Sequence, residues 1–236
     1  MELAKKAVKI WETLDLHLDT MTGYRQTGNL RLARTEDETD VIRNLVHSQA
    51  ANGLPIELLD IRQAQEIAPA LSNEFLLASW CPTDGHADPF KSVEGFQRAA
   101  ERLGVTFKIK TTVTGIDTYM ANGCPRFNAI ETANGSIVAG KAMLAAGVQT
   151  NLLLVDLGVC IPMTTPLVSA FQTVPLSNLL GPVIGVANGD LAVRQQIDGR
   201  LRFTGGAEQI NANLDLSGEC PAVHPPAASI SQVISS

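Results

Sequence analysis

Three helix start signals constrain the fold of this chain more than any other sequence feature. Thr35 is followed three residues later by Glu38, which is the pattern of a capping box. Asp60 and Gln63 repeat that pattern. Asp88-Pro89 then offers an N-cap with proline at the first helical position. Because strand-like segments lie between these starts, the sequence predicts a mixed α/β fold.

The spacing of apolar residues predicts which helix faces are buried. The chain is expected to open with an amphipathic helix. The helix that starts at Asp88 is expected to end at Gly104 and to lead into a strand over Val105–Ile109. The residues expected to be buried are Leu3, Ala7, Ile10, Trp11, Leu14 and Leu18 in the opening helix, and Phe90, Val93, Gln97, Ala100 and Leu103 after Asp88.

Short strands and tight turns are predicted in the second half of the chain. Asn134-Gly135 suits a type I′ hairpin turn, because both residues tolerate positive φ. Asp198-Gly199 predicts a second hairpin. Ala142–Ala146 is small and apolar throughout, which predicts a strand covered on both faces. Gly147 is expected to end this strand and to precede a helix over residues 149–157.

Charge and hydropathy argue against several classes of partner. The formal net charge is −6 and no run of Lys and Arg is present, so nucleic acid is not expected as a partner. The longest apolar stretch, Leu179–Ala187, is far shorter than the roughly 20 residues of a membrane helix, so no transmembrane segment is expected. The N-terminus lacks a signal-peptide pattern and the cysteines are scattered. These features predict reduced thiols, no metal site and a cytoplasmic location.

The motifs of common hydrolases and kinases are absent. The sequence contains no G-x-S-x-G elbow, no H-E-x-x-H pair and no G-x-x-x-x-G-K-[ST] loop. Among the histidines, His86 is the strongest candidate for a site, because it lies in a turn between a strand and a helix.

Two further patterns leave alternatives open. Arg194, with Arg200 and Arg202, has the chemistry to bind a carboxylate through bidentate hydrogen bonds. The alternative is a solvent-facing strand of alternating charge, which the pattern favours for Arg200 and Arg202. Ala145-Ala146-Gly147 would let the backbone approach a cofactor closely, although any tight strand-to-helix turn has a similar composition.

Four segments in a fixed order resemble a known family. They are Tyr24–Ala33, Asp84–Pro89, Ala145–Gly147, and the glycine-rich stretch from Asp198 to Gly206. Over residues 10–215 the chain resembles the D-amino-acid oxidase family of FAD-dependent oxidoreductases, which includes glycine and sarcosine oxidases and the flavin subunits of opine and proline dehydrogenases. The resemblance implies a partial FAD-binding α/β domain interleaved with an antiparallel-sheet substrate domain.

The resemblance also implies a domain division. Residues 1–82 would form the opening helix and the first part of the substrate domain, and residues 83–160 would form part of the FAD-binding domain. Residues 161–218 would form the second part of the substrate domain, and residues 219–236 an irregular tail.

Site residues follow from the same resemblance. Val113 would lie against the adenine side of FAD. Ala145, Ala146 and Gly147 would pass beside the nucleotide half of the cofactor. Arg194 would bind the substrate.

The implied activity is oxidation of the CH–NH bond of an amino acid or secondary amine. FAD takes a hydride from the carbon that bears the amine, and water hydrolyses the resulting imine. The substrate would be a small opine-like, proline-like or glycine-like amine, and a partner subunit would receive the electrons. Because the family's opening G-x-G-x-x-G turn is absent here, the resemblance implies a truncated enzyme whose isolated chain is colourless and inactive. The alternative is a noncatalytic fragment or interaction subunit that keeps the substrate-domain scaffold.

Overall fold

The computed structural model describes residues 2–163 and 166–209, and it contains helices and a mixed sheet. The predicted mixed α/β class is therefore confirmed. The helices are α1 Glu2–Leu18, α2 Glu36–Ala51, α3 Ile61–Ile67, α4 Pro89–Arg102 and α5 Thr150–Leu154. The strands are β1 Asn29–Ala33, β2 Glu57–Leu59, β3 Leu77–Cys81, β4 Val113–Ala121, β5 Cys124–Thr132, β6 Gly135–Val138, β7 Pro166–Gln172, β8 Val183–Val186, β9 Leu191–Gln195 and β10 Leu201–Gln209.

The described residues form two compact units. The first unit comprises the residues up to 105 together with residues 168–207, and the second comprises residues 106–167 apart from the undescribed pair 164–165. The second unit begins later than the FAD-binding segment expected to start at residue 83. The assignment of FAD and substrate roles to these segments stays a prediction, and the tail over 219–236 lies outside the described residues.

A seven-stranded sheet forms the centre of the first unit. Its order is β2-β3-β1-β8-β9-β10-β7. Strand β1 pairs antiparallel with β3 and parallel with β8, while β9 is antiparallel to β8 and β10. The expected antiparallel sheet is thus mixed, because β8 joins β1 in the parallel direction.

The two faces of this sheet differ in chemistry because side chains alternate along each strand. Leu30, Leu32 and Ile184 point to one face and pack into the core with α3 and the loops around it. The strand register places the following residues on the opposite face, which we call the polar face: Arg31, Gly185, Ala192, Arg194, Arg202 and Thr204.

All three predicted helix starts are confirmed. The Thr35 side chain accepts a hydrogen bond from the Glu38 amide, and Asp60 forms a reciprocal capping box with Gln63. The Asp88 carboxylate caps α4, whose first residue is proline. These starts were predictable because each cap is made within about three residues of chain.

The predicted buried face of α4 is wrong. Phe90 and Leu103 are 84% and 86% exposed, whereas Ser92 and Gly95 are buried. The reason is that α4 packs against α1 through its small residues, since a Cβ added at Gly95 would lie 3.2 Å from a Leu18 methyl group. The expected strand over 105–109 is absent, and that segment is irregular.

An antiparallel sheet of order β4-β5-β6 occupies the second unit. Asn122-Gly123 forms its type I′ turn, with φ of +52° and +77°. The same turn predicted at Asn134-Gly135 is wrong by one residue, because Thr132 pairs with Gly135 and leaves Ala133-Asn134 as the turn. At the second predicted hairpin, β9 and β10 do pair as a hairpin.

The strand predicted over Ala142–Ala146 is also wrong. This segment has no regular secondary structure, and Met143 is 93% exposed. A strand with two apolar faces needs neighbours that pair with it and cover it, and no described strand pairs with this segment. A 3₁₀ turn over Gly147–Gln149, α5 and a second 3₁₀ turn over Val155–Leu157 replace the predicted continuous helix.

Neither a membrane span nor a metal cluster is found in the described ranges. No helix there has the length and apolar composition to cross a membrane. No group of three or more His, Cys, Asp or Glu side chains in those ranges is placed to hold a metal ion. Cys81, Cys124 and Cys160 carry free thiols.

Candidate active site on the polar face

Two arginines face each other across neighbouring strands of the polar face. Arg194 in β9 is the direct register partner of Arg202 in β10, and both are half-buried. Neither side chain has a hydrogen bond or ion pair with another described residue. Like charges placed directly opposite each other destabilise a sheet, so an anion bound beside this pair would relieve their repulsion.

A cavity of about 280 Å³ lies against this pair. Arg194 also borders a smaller cavity of about 20 Å³, which is lined by His86 and Asp88 and is large enough for about one water molecule. Arg194 therefore lies between a larger space for a ligand and a smaller space beside the imidazole. The larger cavity is lined by Val183, Ala192, Val193, Arg194, Arg202 and Thr204.

Arg200 differs from the other two arginines. Its Nε lies 3.1 Å from an Asp198 carboxylate oxygen, so its charge is already paired in the hairpin turn. The alternative reading, a solvent-facing charged strand, therefore fits Arg200. Arg202 is half-buried and lies directly opposite Arg194 in the strand register.

Arg25 also borders the site, although no pattern in the sequence marks it as a candidate. Its backbone pairs with His86 through hydrogen bonds of 2.8 and 3.0 Å. Its Nη2 donates to the Gln195 carbonyl at 2.6 Å and lies 3.4 Å from His86 Nε2. Because arginine is only a donor, His86 Nε2 accepts this contact and its ring proton resides on Nδ1.

His86 is an uncharged imidazole at neutral pH. Burial, together with the positive charges of Arg25 and Arg194, lowers its pKa to about 4. Burial, Arg202 and Arg25 also lower the pKa of Arg194, and Asp88 opposes this shift. A guanidinium remains charged despite such shifts, so Arg194 stays available to bind an anion.

Asp84 adds a partly buried carboxyl group near the same sheet. Burial raises its pKa, and the charge of Arg31 partly offsets that effect. The Asp84 carbonyl accepts the Gly28 amide at 2.8 Å, which holds the turn beside the start of β1.

Gln195 fixes the end of β9 next to Arg194. Its buried side-chain Oε1 accepts hydrogen bonds from the Leu179 and Leu180 amides at 2.7 and 3.0 Å. Its Nε2 donates to the Gly199 carbonyl at 2.9 Å. This glutamine ties the strand to two loops, which gives the arginine a rigid support.

The residues predicted to contact FAD lie in the second unit. Val113 is the first residue of β4, Ala145 is exposed and Ala146 is half-buried. Gly147 has a φ of +56°, and a Cβ added to it would meet no atom within 4 Å. This open turn leaves room for a cofactor to approach the backbone, so these residues fit a contact with FAD. Arg194 belongs to the first unit.

Comparisons with known proteins bear on the family of the chain. A family model described as FAD dependent oxidoreductase matches residues 1–234. The mitochondrial dimethylglycine dehydrogenase of Rattus norvegicus is 26% identical over 208 residues, which are 83% of this chain and 23% of that protein. The D-amino acid dehydrogenase of Rhizobium rhizogenes is 28% identical over 192 residues, which are 77% of this chain and 45% of that protein.

A solved structure with the same fold is the L-proline dehydrogenase from P. horikoshii. It superposes with a TM-score of 0.82 at 24% identity and covers 98% of this chain. The match spans 59% of that dehydrogenase. This chain therefore corresponds to less than two thirds of the length of each protein compared.

Proposed function

Because the chain belongs to the family of FAD-dependent oxidoreductases, we propose that it acts in the oxidation of an amino acid or secondary amine at its CH–NH bond, with FAD as cofactor. The relatives named above are dehydrogenases of dimethylglycine, D-amino acids and L-proline, all of which combine an amine with a carboxylate. The observation that carries the proposal is the unpaired guanidinium of Arg194 beside a cavity on the polar face.

Arg194 binds and orients the substrate. Its planar guanidinium donates two parallel hydrogen bonds to the substrate carboxylate, which fixes the amine end of the molecule in the cavity. Such positioning lowers the entropy cost of the reaction. The uncharged His86 and the charged Arg25 contact each other and hold the turn that borders Arg194.

When bound, FAD would supply the hydride acceptor for oxidation of the carbon that bears the amine. We assign its nucleotide half to Val113, Ala145, Ala146 and Gly147, since the turn at Gly147 is open to an approaching group. The sequence contains no G-x-G-x-x-G turn for the pyrophosphate. FAD is therefore expected to bind this chain weakly by itself, and a partner subunit is part of the proposal.

The proposal is tested by comparing Arg194→Gln with Arg200→Gln. The substrate carboxylate loses its charged partner in the first variant, which is expected to weaken binding of N-methylglycine by about 10- to 100-fold. Arg200 is already paired with Asp198, so its variant is expected to bind like the wild type. Calorimetry with N-methylglycine gives the affinities, and amine-dependent reduction of a dye with added FAD gives the activity. Equal affinities in the two variants would reject the role of Arg194.

An interaction subunit without catalysis is the second candidate. The observation that favours it is an exposed apolar surface at α4, where Phe90 and Val93 in the helix and Leu103 directly after it are 84%, 68% and 86% exposed. Large exposed apolar patches mark interaction sites on many proteins. This candidate predicts no flavin spectrum and no amine-dependent dye reduction, even with saturating FAD.

A cytoplasmic location, favoured by the free thiols, completes the proposal.

A further inference from the structure

We propose that the first unit contains a second binding site, which takes an uncharged molecule with one aromatic ring. The site is a cavity of about 240 Å³ on the face of the seven-stranded sheet opposite the polar face. The inference does not rest on the proposed function, because the cavity beside Arg194 lies on the other side of the sheet.

Side chains of three neighbouring strands form the floor of this cavity. Ile184 in β8 is the register partner of Val193 in β9, and Val193 is the partner of Phe203 in β10. Directly paired residues point to the same side of a sheet, so these three form one continuous apolar row. Arg194 follows Val193 in the chain and therefore points to the opposite side.

The walls of the cavity come from loops. Helix α3 packs against β2 and β3, which lie at the other end of the sheet from β10. The segment after α3 supplies Leu71 and Phe75, and the loop before β8 supplies Leu179 and Leu180. Leu180 is buried, whereas Leu179 is 47% exposed and marks the rim. The cavity is therefore made of core side chains and can be reached from solvent.

The chemistry of the lining disfavours charged and polar ligands. None of the described residues that line the cavity is charged, and Ser72 carries the one polar side chain among them. Its Oγ already accepts a backbone amide at 3.2 Å. The wall amides of Leu179 and Leu180 are also paired, because both donate to Gln195 Oε1. A polar ligand would lose hydrogen bonds to water here without replacing them, so an apolar ligand is favoured.

The volume and the aromatic residues indicate the size and kind of that ligand. An engineered apolar cavity of about 150 Å³ binds benzene, so a volume of about 240 Å³ accommodates one ring with small substituents. Phe75 and Phe203 both line the space. Pairs of aromatic rings gain free energy beyond the burial of their area, which favours an aromatic ligand over an aliphatic one.

Toluene is the probe for this site. Titration of the purified chain is followed by the NMR signals of its methyl groups, and saturable shifts are expected at Val193 and Ile184. No shift is expected at Val41, which lies in α2 outside the cavity. Phenol has a similar size, but its hydroxyl group loses its hydrogen bonds to water in the cavity. It is expected to bind at least about 10-fold more weakly than toluene.

Larger side chains in the apolar row are expected to block the ring. Val193→Phe fills part of the cavity and is expected to weaken toluene binding by at least about 10-fold. Val41→Phe is the matched control, since it makes the same substitution at a valine that is 48% exposed, and its affinity is expected to stay unchanged. If Val193→Phe does not fold, Leu191→Phe provides the test at another lining residue. Arg194→Gln is expected to bind toluene like the wild type.

Four results would overturn the inference. They are the absence of saturable shifts at Val193 and Ile184, equal affinities for toluene and phenol, and wild-type affinity in a folded Val193→Phe or Leu191→Phe protein. The fourth is a toluene affinity that falls as the protein concentration rises, which would show that a second copy of the chain covers the cavity. None of these results involves FAD or an amine, so the proposed function is tested separately.

Discussion

The seven-stranded sheet of the first unit and the three-stranded sheet of the second differ in how far their side chains are covered. Leu30 and Leu32 in β1 are 0% and 1% exposed, because α3 and its loops cover that face. In the second unit, every residue of β6 is exposed, and Ile137 at its centre is 37% exposed. Apolar patterning buries a strand only where another layer packs against it. Strands with apolar residues are therefore buried to different extents in the two units.

The largest expected effect concerns two glycines with positive φ. Gly28 and Gly135 have φ of +77° and +111°, but a Cβ at Gly28 would overlap the Trp80 ring, whereas a Cβ at Gly135 meets no atom within 4 Å. Gly28→Ala is expected to destabilise the protein by about 4 kcal/mol through steric overlap and backbone strain. Gly135→Ala is expected to cost about 1 kcal/mol from strain alone. Urea titrations followed by circular dichroism measure both, and equal losses would contradict the comparison.

Truncation of buried and exposed apolar side chains sharpens the same contrast. Leu30→Ala leaves a cavity in the first unit and is expected to cost about 3 kcal/mol. Ile137→Ala removes a partly exposed side chain and is expected to cost about 1 kcal/mol or less. The free energy of unfolding is measured for each variant and compared with that of the wild type. A loss at Ile137 as large as that at Leu30 would show that the second sheet is covered in solution.

The pH dependence of stability tests whether burial in the first unit extends to its polar groups. His86 has a pKa of about 4 in the folded chain against 6.5 for the free side chain. The unfolded chain therefore takes up a proton at higher pH, and stability is expected to fall as pH decreases from about 6.5 to about 4. The loss should reach about 1 to 2 kcal/mol after allowance for solvent screening. Replacement His86→Gln should abolish this part of the pH profile, and a profile identical to the wild type would disprove the assignment.

The smallest expected effect is at a helix cap in the first unit. Thr35 accepts a hydrogen bond from the Glu38 amide, so Thr35→Ala is expected to cost about 1 kcal/mol. Thr35→Ser keeps the accepting hydroxyl and serves as the control, with little expected change. Thermal unfolding measures both variants. A Thr35→Ala protein as stable as the Thr35→Ser protein would show that this cap is not needed in the packed unit.

The two Asn-Gly dipeptides show the limit of local patterns. The sequence predicts a type I′ turn at Asn134-Gly135, but that turn forms at Asn122-Gly123. Both dipeptides tolerate positive φ, so composition alone does not separate them. The register of β5 with its two neighbours decides which one lies at the tip of its hairpin.

The candidate site also combines residues that a sequence pattern marks with contacts that no local pattern specifies. The sequence marks Arg194 as a candidate for binding a carboxylate, and this role stays a prediction. The resemblance to FAD-dependent oxidoreductases agrees with the family match over residues 1–234. The contact of Arg25 with His86 joins residues 61 positions apart, and no spacing in the sequence signals it. The direct pairing of Arg202 with Arg194 depends on the register of β9 and β10, which the sequence alone does not specify.

The sequence by itself determined the helix starts at Thr35, Asp60 and Asp88, the mixed α/β class and the family. These follow from hydrogen bonds made within a few residues and from the order of short motifs. Only the tertiary structure decided which side of α4 is buried, that Ala142–Ala146 is not a strand, and that two arginines meet on the polar face. The physical reason is that burial and charge pairing depend on which distant elements pack together, and a local pattern does not contain that information.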